Sequence, residues 1–186
     1  MKVAKNSVSK LTTINIVKQI FKNKNRTFLD INSNNIIIKK ASKNNGEKVE
    51  EKVVQRLLKE IDQRGALDVI RNGFTDLGVK FKMAYFRPES SLNPDAEEFY
   101  QKNHLSVTRQ LYYERNGRNS LDMVLSLNGL PIATIELKNQ FSGQDVNNAK
   151  KQYVYDREPN EPIFQFKKRA IVHFAIDADE CYMTTS

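Results

Sequence analysis

Asp122, Glu136 and Lys138 are the residues whose types and spacing could do chemistry, and they lie within the run SLDMVLSLNGLPIATIELK, residues 120 to 138. Two carboxylates a few ångströms apart repel each other unless a hard divalent cation sits between them. Mg²⁺ prefers oxygen ligands completed by water and phosphate oxygens. An acid pair with a lysine beside it therefore suits phosphodiester hydrolysis, which needs an attacking water, neutralisation of an anionic transition state and help for the leaving oxygen. Asp122 and Glu136 would hold the cation, with the backbone carbonyl of Leu137 as a third ligand. Lys138 would orient or deprotonate the water. The same D-x13-E-x-K spacing also fits a simpler arrangement, a cross-strand ion pair of Asp122 with Lys138 on a solvated face, Glu136 being merely exposed.

Positioning these groups falls to two strands. In the first, Leu121, Met123, Leu125 and Leu127 alternate with Asp122, Val124 and Ser126; in the second, Ala133, Ile135 and Leu137 alternate with Ile132, Thr134, Glu136 and Lys138. Burying the leucine row with Ile135 and Leu137 fixes the register of an antiparallel pair and sets Asp122 opposite Glu136. Glu136 and Lys138, two apart, point the same way. This register predicts a three-residue loop, Asn128-Gly129-Leu130, with Asn128 or Gly129 at positive φ. The acids and the lysine then converge on the less apolar, outer face. Replacing Glu136 or Lys138 by alanine should accordingly abolish cutting with little loss of stability.

Around this hairpin the pattern is that of one α/β (α+β) domain. Val49, Val53, Leu57 and Ile61, widened by Val54 and Leu58, predict a helix ended by Gly65, and a second short helix covers Ala66 to Asn72. A strand is expected from Val79 to Tyr85, a helix from Asn93-Pro94 to about Asn103, and a strand from Leu105 to Tyr113. Leu121 to Leu127 and Pro131 to Lys138 are the hairpin. A helix capped around Ser142 and Asp145 should run to about Tyr155 on a stripe of Val146, Ala149 and Tyr153. Strands from Ala170 to Ile176 and from Cys181 to Thr184 complete the set. Upstream, a short helix is expected over Thr12 to Phe21 and a short strand within Asn32 to Asn45. The expected division is a basic Lys- and Asn-rich segment, residues 1–46, followed by the compact domain, residues 47–186.

Charge is distributed unevenly. Residues 1 to 45 hold ten Lys or Arg against one acid, Asp30, and the remainder holds twenty against twenty-one, so the net +8 of the chain resides in its first quarter. That segment is either a basic arm for DNA or, with its nine Asn, a product of genome composition. With 39% apolar residues in 186, the chain is long enough for one sizeable core. No apolar run is long enough to span a membrane, MKVAKNSVSK lacks the apolar stretch of a secretory signal, and the one cysteine, Cys181, cannot form an internal disulfide. A cytoplasmic location is expected, and Cys181 is expected in the core. No second His or Cys stands at zinc-ligand spacing beside His104 or His173, and no phosphate-binding glycine loop occurs, so zinc binding and ATP hydrolysis are not expected of the chain.

Asp122 followed by Glu136-Leu137-Lys138 resembles the D…(D/E)xK signature of the PD-(D/E)xK nuclease superfamily. More specifically, VTRQLYY, SLDMVLSLNGLPIATIELKN and GQDVNNAKKQYVYDREPNEPIFQFKKRAIVHFAIDADECYMTT look like the nuclease domain of type I restriction enzyme R subunits, over roughly residues 65 to 186. Residues 1 to 45 resemble no part of that family. The resemblance implies a mixed central β-sheet flanked by helices, a restriction-endonuclease-like core, and Mg²⁺-dependent cutting of double-stranded DNA. It also implies an ATP-driven motor beyond this chain and a complex with methyltransferase and specificity subunits. Asp122 and Glu136 match the metal-binding acids and Lys138 the catalytic lysine. The following helix in the family carries a Gln with a Tyr four residues on. Here Gln152 is followed by Tyr155 and Asp156, so the resemblance carries over Gln152 alone. Arg157 could reach a phosphate or pair with Asp156 on a solvated face, and Glu50, Glu51 or Glu60 could bring a further acid from the first helix. The alternative of a different class is a catalytically inactive DNA-binding or subunit-docking module of the same fold.

Overall fold

The computed structural model describes residues 48–76, 78–90, 94–113, 119–139 and 143–185. The helix and strand expected upstream of Glu47 lie outside the described residues. The chain divides into two compact units.

One unit includes the described residues up to Leu105, together with Leu127–Gly129. Its first helix, α1 (Lys48–Arg64), buries Val53, Val54, Leu57, Leu58 and Ile61, the stripe set by their three- and four-residue spacing. Gly65 separates it from α2 (Ala66–Asn72), which buries Ala66, Val69 and Ile70. Beyond α2 the chain turns at Gly73, whose φ is 67° and where a Cβ would stand 2.0 Å from the carbonyl oxygen of Phe81, so only glycine fits. Strands β1 (Phe74–Asp76) and β2 (Val79–Phe81) pair antiparallel, with Phe74 opposite Phe81 and their rings stacked at 4.9 Å. The strand expected to reach Tyr85 therefore stops at Phe81. From there side chains serve the backbone instead of a ladder: the Tyr85 amide donates to Asn103 Oδ1 at 3.1 Å, and Asn103 Nδ2 donates to the Tyr85 carbonyl. Helix α3 (Pro94–Gln101) follows with acids in its first turn.

The other unit is built on a five-stranded sheet in the order β3-β4-β5-β6-β7, formed by β3 (Leu105–Tyr112), β4 (Ser120–Leu127), β5 (Leu130–Leu137), β6 (Val172–Ile176) and β7 (Cys181–Thr185). β5 and β6 run parallel, with Ala133 opposite Val172 and Leu137 opposite Ile176, whereas β6 and β7 are antiparallel. The sheet is mixed, as expected. Parallel neighbours need a crossover, and it carries α4 (Val146–Lys151), whose Val146 and Ala149 pack with Ala175. The cap is Asp145 itself. Its side chain accepts from the Asn147 and Asn148 amides, and the Asn148 side chain accepts from the Asp145 amide. Cys181 is exposed on β7, against the expectation of a core position, because this strand forms the sheet edge.

Two findings revise the hairpin. Its turn has two residues, Asn128 (φ 57°) and Gly129 (φ 82°), not three. Asn-Gly with both φ positive is the pairing that matches the twist of two strands. Asn128 is also held there: its amide donates to the His104 carbonyl at 2.7 Å, its Oδ1 accepts from the His104 amide at 2.6 Å, and its Nδ2 donates to the Met83 carbonyl at 3.1 Å. The second revision concerns burial. The face bearing Thr134 and Glu136 is the covered one, at 0% and 1% exposure, while Leu137 is 44% exposed. Counting apolar residues on the two faces misleads here because the covering side chains, Tyr153, Ile163 and Phe164, come from the crossover and cluster with Tyr113, Leu121 and Val124.

Candidate active site

The regular alternation of burial breaks in both strands, with Asp122 and Met123 half-buried in succession on β4 and Ala133 and Thr134 both buried on β5. The carboxyl groups of Asp122 and Glu136 come to lie side by side despite the shorter turn. Asp122 Oδ2 accepts from the Leu137 amide at 2.8 Å, which fixes it at the end of β5. Lys138 follows at the strand end, half-exposed, its amide donating to the Ile176 carbonyl at 2.8 Å. Among the described residues its side chain makes no ion pair, so the simple Asp122–Lys138 pair is not what holds this hairpin.

The cation that does meet the acids is Arg157. Its side chain, 7% exposed, donates to Glu136 Oε1, to the Tyr113 hydroxyl at 3.0 Å and to the Ser120 carbonyl at 2.9 Å, with the guanidinium over the Tyr113 ring. The pair with Asp156 on a solvated face is not formed. Arg157 is brought in by a π-helical turn, Gln152–Asp156, that continues α4 and ends with the Arg157 amide donating to the Gln152 carbonyl at 3.0 Å. Such turns recur at functional sites. The turn links Gln152 through its backbone to a residue five positions on. Among the described residues, Gln152 Oε1 is buried without a hydrogen-bond partner, as is Arg157 Nε.

Burial pushes the Glu136 carboxyl up to about 7; Arg157 pulls against this, and the neighbouring Asp122 adds to it. Beneath the acids lies a buried polar chain. Thr134 Oγ1 meets the Tyr153 hydroxyl at 2.9 Å and His173 Nδ1 at 2.6 Å. Burial holds the His173 imidazole below its ordinary range and the Tyr153 phenol well above its own. Reading the sequence identified Tyr153 only as part of a buried stripe, weighed His173 only as a zinc ligand, and gave no role to Thr134, Tyr113 or Ser120. The alternating pattern around Thr134 is the one signal that placed it on the face of Glu136. In the other unit, Glu60 is buried and engaged by Arg56 at 2.5 Å and Arg64 at 3.0 Å. The side chains of Glu50 and Glu51 lie outside those described.

A mixed sheet whose hairpin is followed by a helical crossover into a parallel strand is the build of an α+β, restriction-endonuclease-like protein. The family described as type I restriction enzyme R protein N terminus matches residues 4–186, and the chain belongs to that family. The match takes in most of the basic segment, where the sequence alone showed no likeness. The endonuclease subunit of the type I restriction enzyme SsaAORF53P from Staphylococcus saprophyticus is 28% identical over 141 residues, 74% of this chain but 14% of that protein. The chain thus spans about a seventh of that relative's length. No solved structure matches the chain. No helix among the described residues is long and apolar enough to cross a membrane.

Proposed function

We propose that this chain is the Mg²⁺-dependent endonuclease domain of a type I restriction enzyme R subunit, hydrolysing phosphodiester bonds of double-stranded DNA in the restriction of foreign DNA. The observation that carries the reading is the interacting carboxyl pair of Asp122 on β4 and Glu136 on β5, with Lys138 the next residue but one along the chain. The donor set fits a hard cation: two interacting carboxyl groups, one of them raised to about 7 chiefly by burial and further by its neighbour, a repulsion that a divalent ion would relieve. Such an ion supplies Lewis acidity and a water of lowered pKa. The protein's own groups do the rest. Asp122 and Glu136 hold the ion, Lys138 orients the attacking water or takes its proton, and Arg157 and Gln152 support the acids from the crossover. Methyltransferase and specificity subunits would choose the DNA, an ATP-driven motor outside this chain would move it, and the assembly would work in the cytoplasm.

One observation favours the alternative of an inactive DNA-binding or docking module: Glu136 already has a buried counter-ion in Arg157. Plasmid cleavage by the R subunit assembled with its partners, Mg²⁺ and ATP decides between them. Cutting by the wild type and its loss in Lys138→Ala is expected; equal cutting by both, or none by either, would leave the docking module as the better account.

A further inference from the structure

Part of the acids' capacity for cations is already taken by donors of the protein itself. Asp122 Oδ2 already accepts from the Leu137 amide and Glu136 Oε1 from Arg157, so each carboxylate carries a donor before any ion enters. Among the described residues no group of three His, Cys, Asp or Glu converges to hold a metal. Sites that hold two ions about 3.5–4 Å apart clamp both the attacking and the leaving oxygen, and need ligands enough for both ions. Mg²⁺ bound singly needs only one or two carboxylates and keeps several waters. The position beside Glu136, meanwhile, holds a positive charge that is not easily displaced. Arg157 is fixed by Glu136, the Tyr113 hydroxyl, the Ser120 carbonyl and the Tyr113 ring, and it is nearly shielded from solvent.

Resting on the reading of Asp122 and Glu136 as metal ligands, we propose that the site takes one divalent cation and that Arg157 supplies, as a fixed guanidinium, the positive charge a second ion would bring. Asp122 and Glu136 would hold the ion while keeping their present donors, Arg157 staying on Glu136 Oε1. Its Nε–H, buried and without a partner among the described residues, leaves one donor unspent for an anion that enters with the ion. Arginine suits this place better than lysine, because a planar fork can serve a carboxylate, a hydroxyl and a carbonyl at once.

Mn²⁺ titration of the full-length protein without nucleotide, followed by calorimetry and by the electron spin resonance of free Mn²⁺, tests this. Ions belonging to the site are those lost in an Asp122→Asn, Glu136→Gln double variant. One such ion is expected in the wild type and in Arg157→Lys. In Arg157→Met a second ion should enter, or the first should bind about tenfold more tightly once the neighbouring charge is gone. Two site ions in the wild type would overturn the proposal while leaving the nuclease reading intact, as would one ion of unchanged affinity in a folded Arg157→Met. If no ion is lost in the double variant, the acids are not metal ligands and both readings fail. Should Arg157→Met not fold, the wild-type stoichiometry still decides.

Discussion

Replacing Glu136 by alanine should unfold the protein at lower temperature, contrary to what its place on an outer hairpin face suggested. Glu136 is 1% exposed and pairs with Arg157, and removing one partner of a buried pair costs about 3–5 kcal/mol because the other charge is left unpaired. Two features reduce the cost. Arg157 keeps the Tyr113 hydroxyl and the Ser120 carbonyl, and Asp122 loses a neighbour of like charge and becomes available to the guanidinium. Together these return about 1–2 kcal/mol. The net loss is then about 1–4 kcal/mol, or roughly 2–16 °C in Tm for a chain of this size. Lys138→Ala supplies the control. Its side chain is half-exposed and makes no ion pair among the described residues, so its stability should stay within about 0.5 kcal/mol of wild type. Urea unfolding of both variants, read by circular dichroism, measures the difference. A Glu136→Ala midpoint indistinguishable from that of Lys138→Ala would mean that the pair is solvated in solution and that the face carrying Glu136 is not covered.

Thr134→Val keeps the shape but strands the Tyr153 hydroxyl and His173 Nδ1; a loss of about 2–3 kcal/mol in urea unfolding is expected. His173 titrates below its ordinary value because it is buried. The unfolded imidazole therefore takes a proton before the folded one, so its stabilising contribution is present above about pH 6.5 and is lost as pH falls below it. Urea midpoints at pH 7.5 and 5.5 should fall more for wild type than for His173→Gln. Gly73→Ala combines a positive φ with a Cβ set against the Phe81 carbonyl and should cost more than about 3 kcal/mol, checked by thermal melting against the exposed Gly143→Ala, which meets no atom within 4 Å.

What could be read from the sequence was local. The spacing of Val53, Leu57 and Ile61 sufficed for α1, and the alternation around Asp122 and Glu136 sufficed to bring two acids together, although through a turn one residue too long. The register argument itself failed, since the Asn128-Gly129 turn is one residue shorter than it required, yet the Asp122 and Glu136 carboxyls still interact. The covered face was not legible, because Tyr153, Ile163 and Phe164 belong to a segment whose packing depends on the parallel pairing of β5 with β6. Arg157 was not legible as the partner of Glu136 for the same reason. An ion pair across a crossover leaves no periodic trace, whereas an adjacent Asp156 offers an obvious and mistaken one.

The π-helical turn between Gln152 and Asp156 makes this region sensitive to residue number more than to residue identity. Val154 and Tyr155 within it are 67% and 79% exposed, so most substitutions there should pass unnoticed. Deleting either one would let the helix relax to its ordinary winding and swing the residues beyond the turn by about 100°. Arg157 would then leave Glu136 without a single change to a residue that touches either. For this family member, length changes between positions 152 and 157 are the ones to watch when related chains are compared.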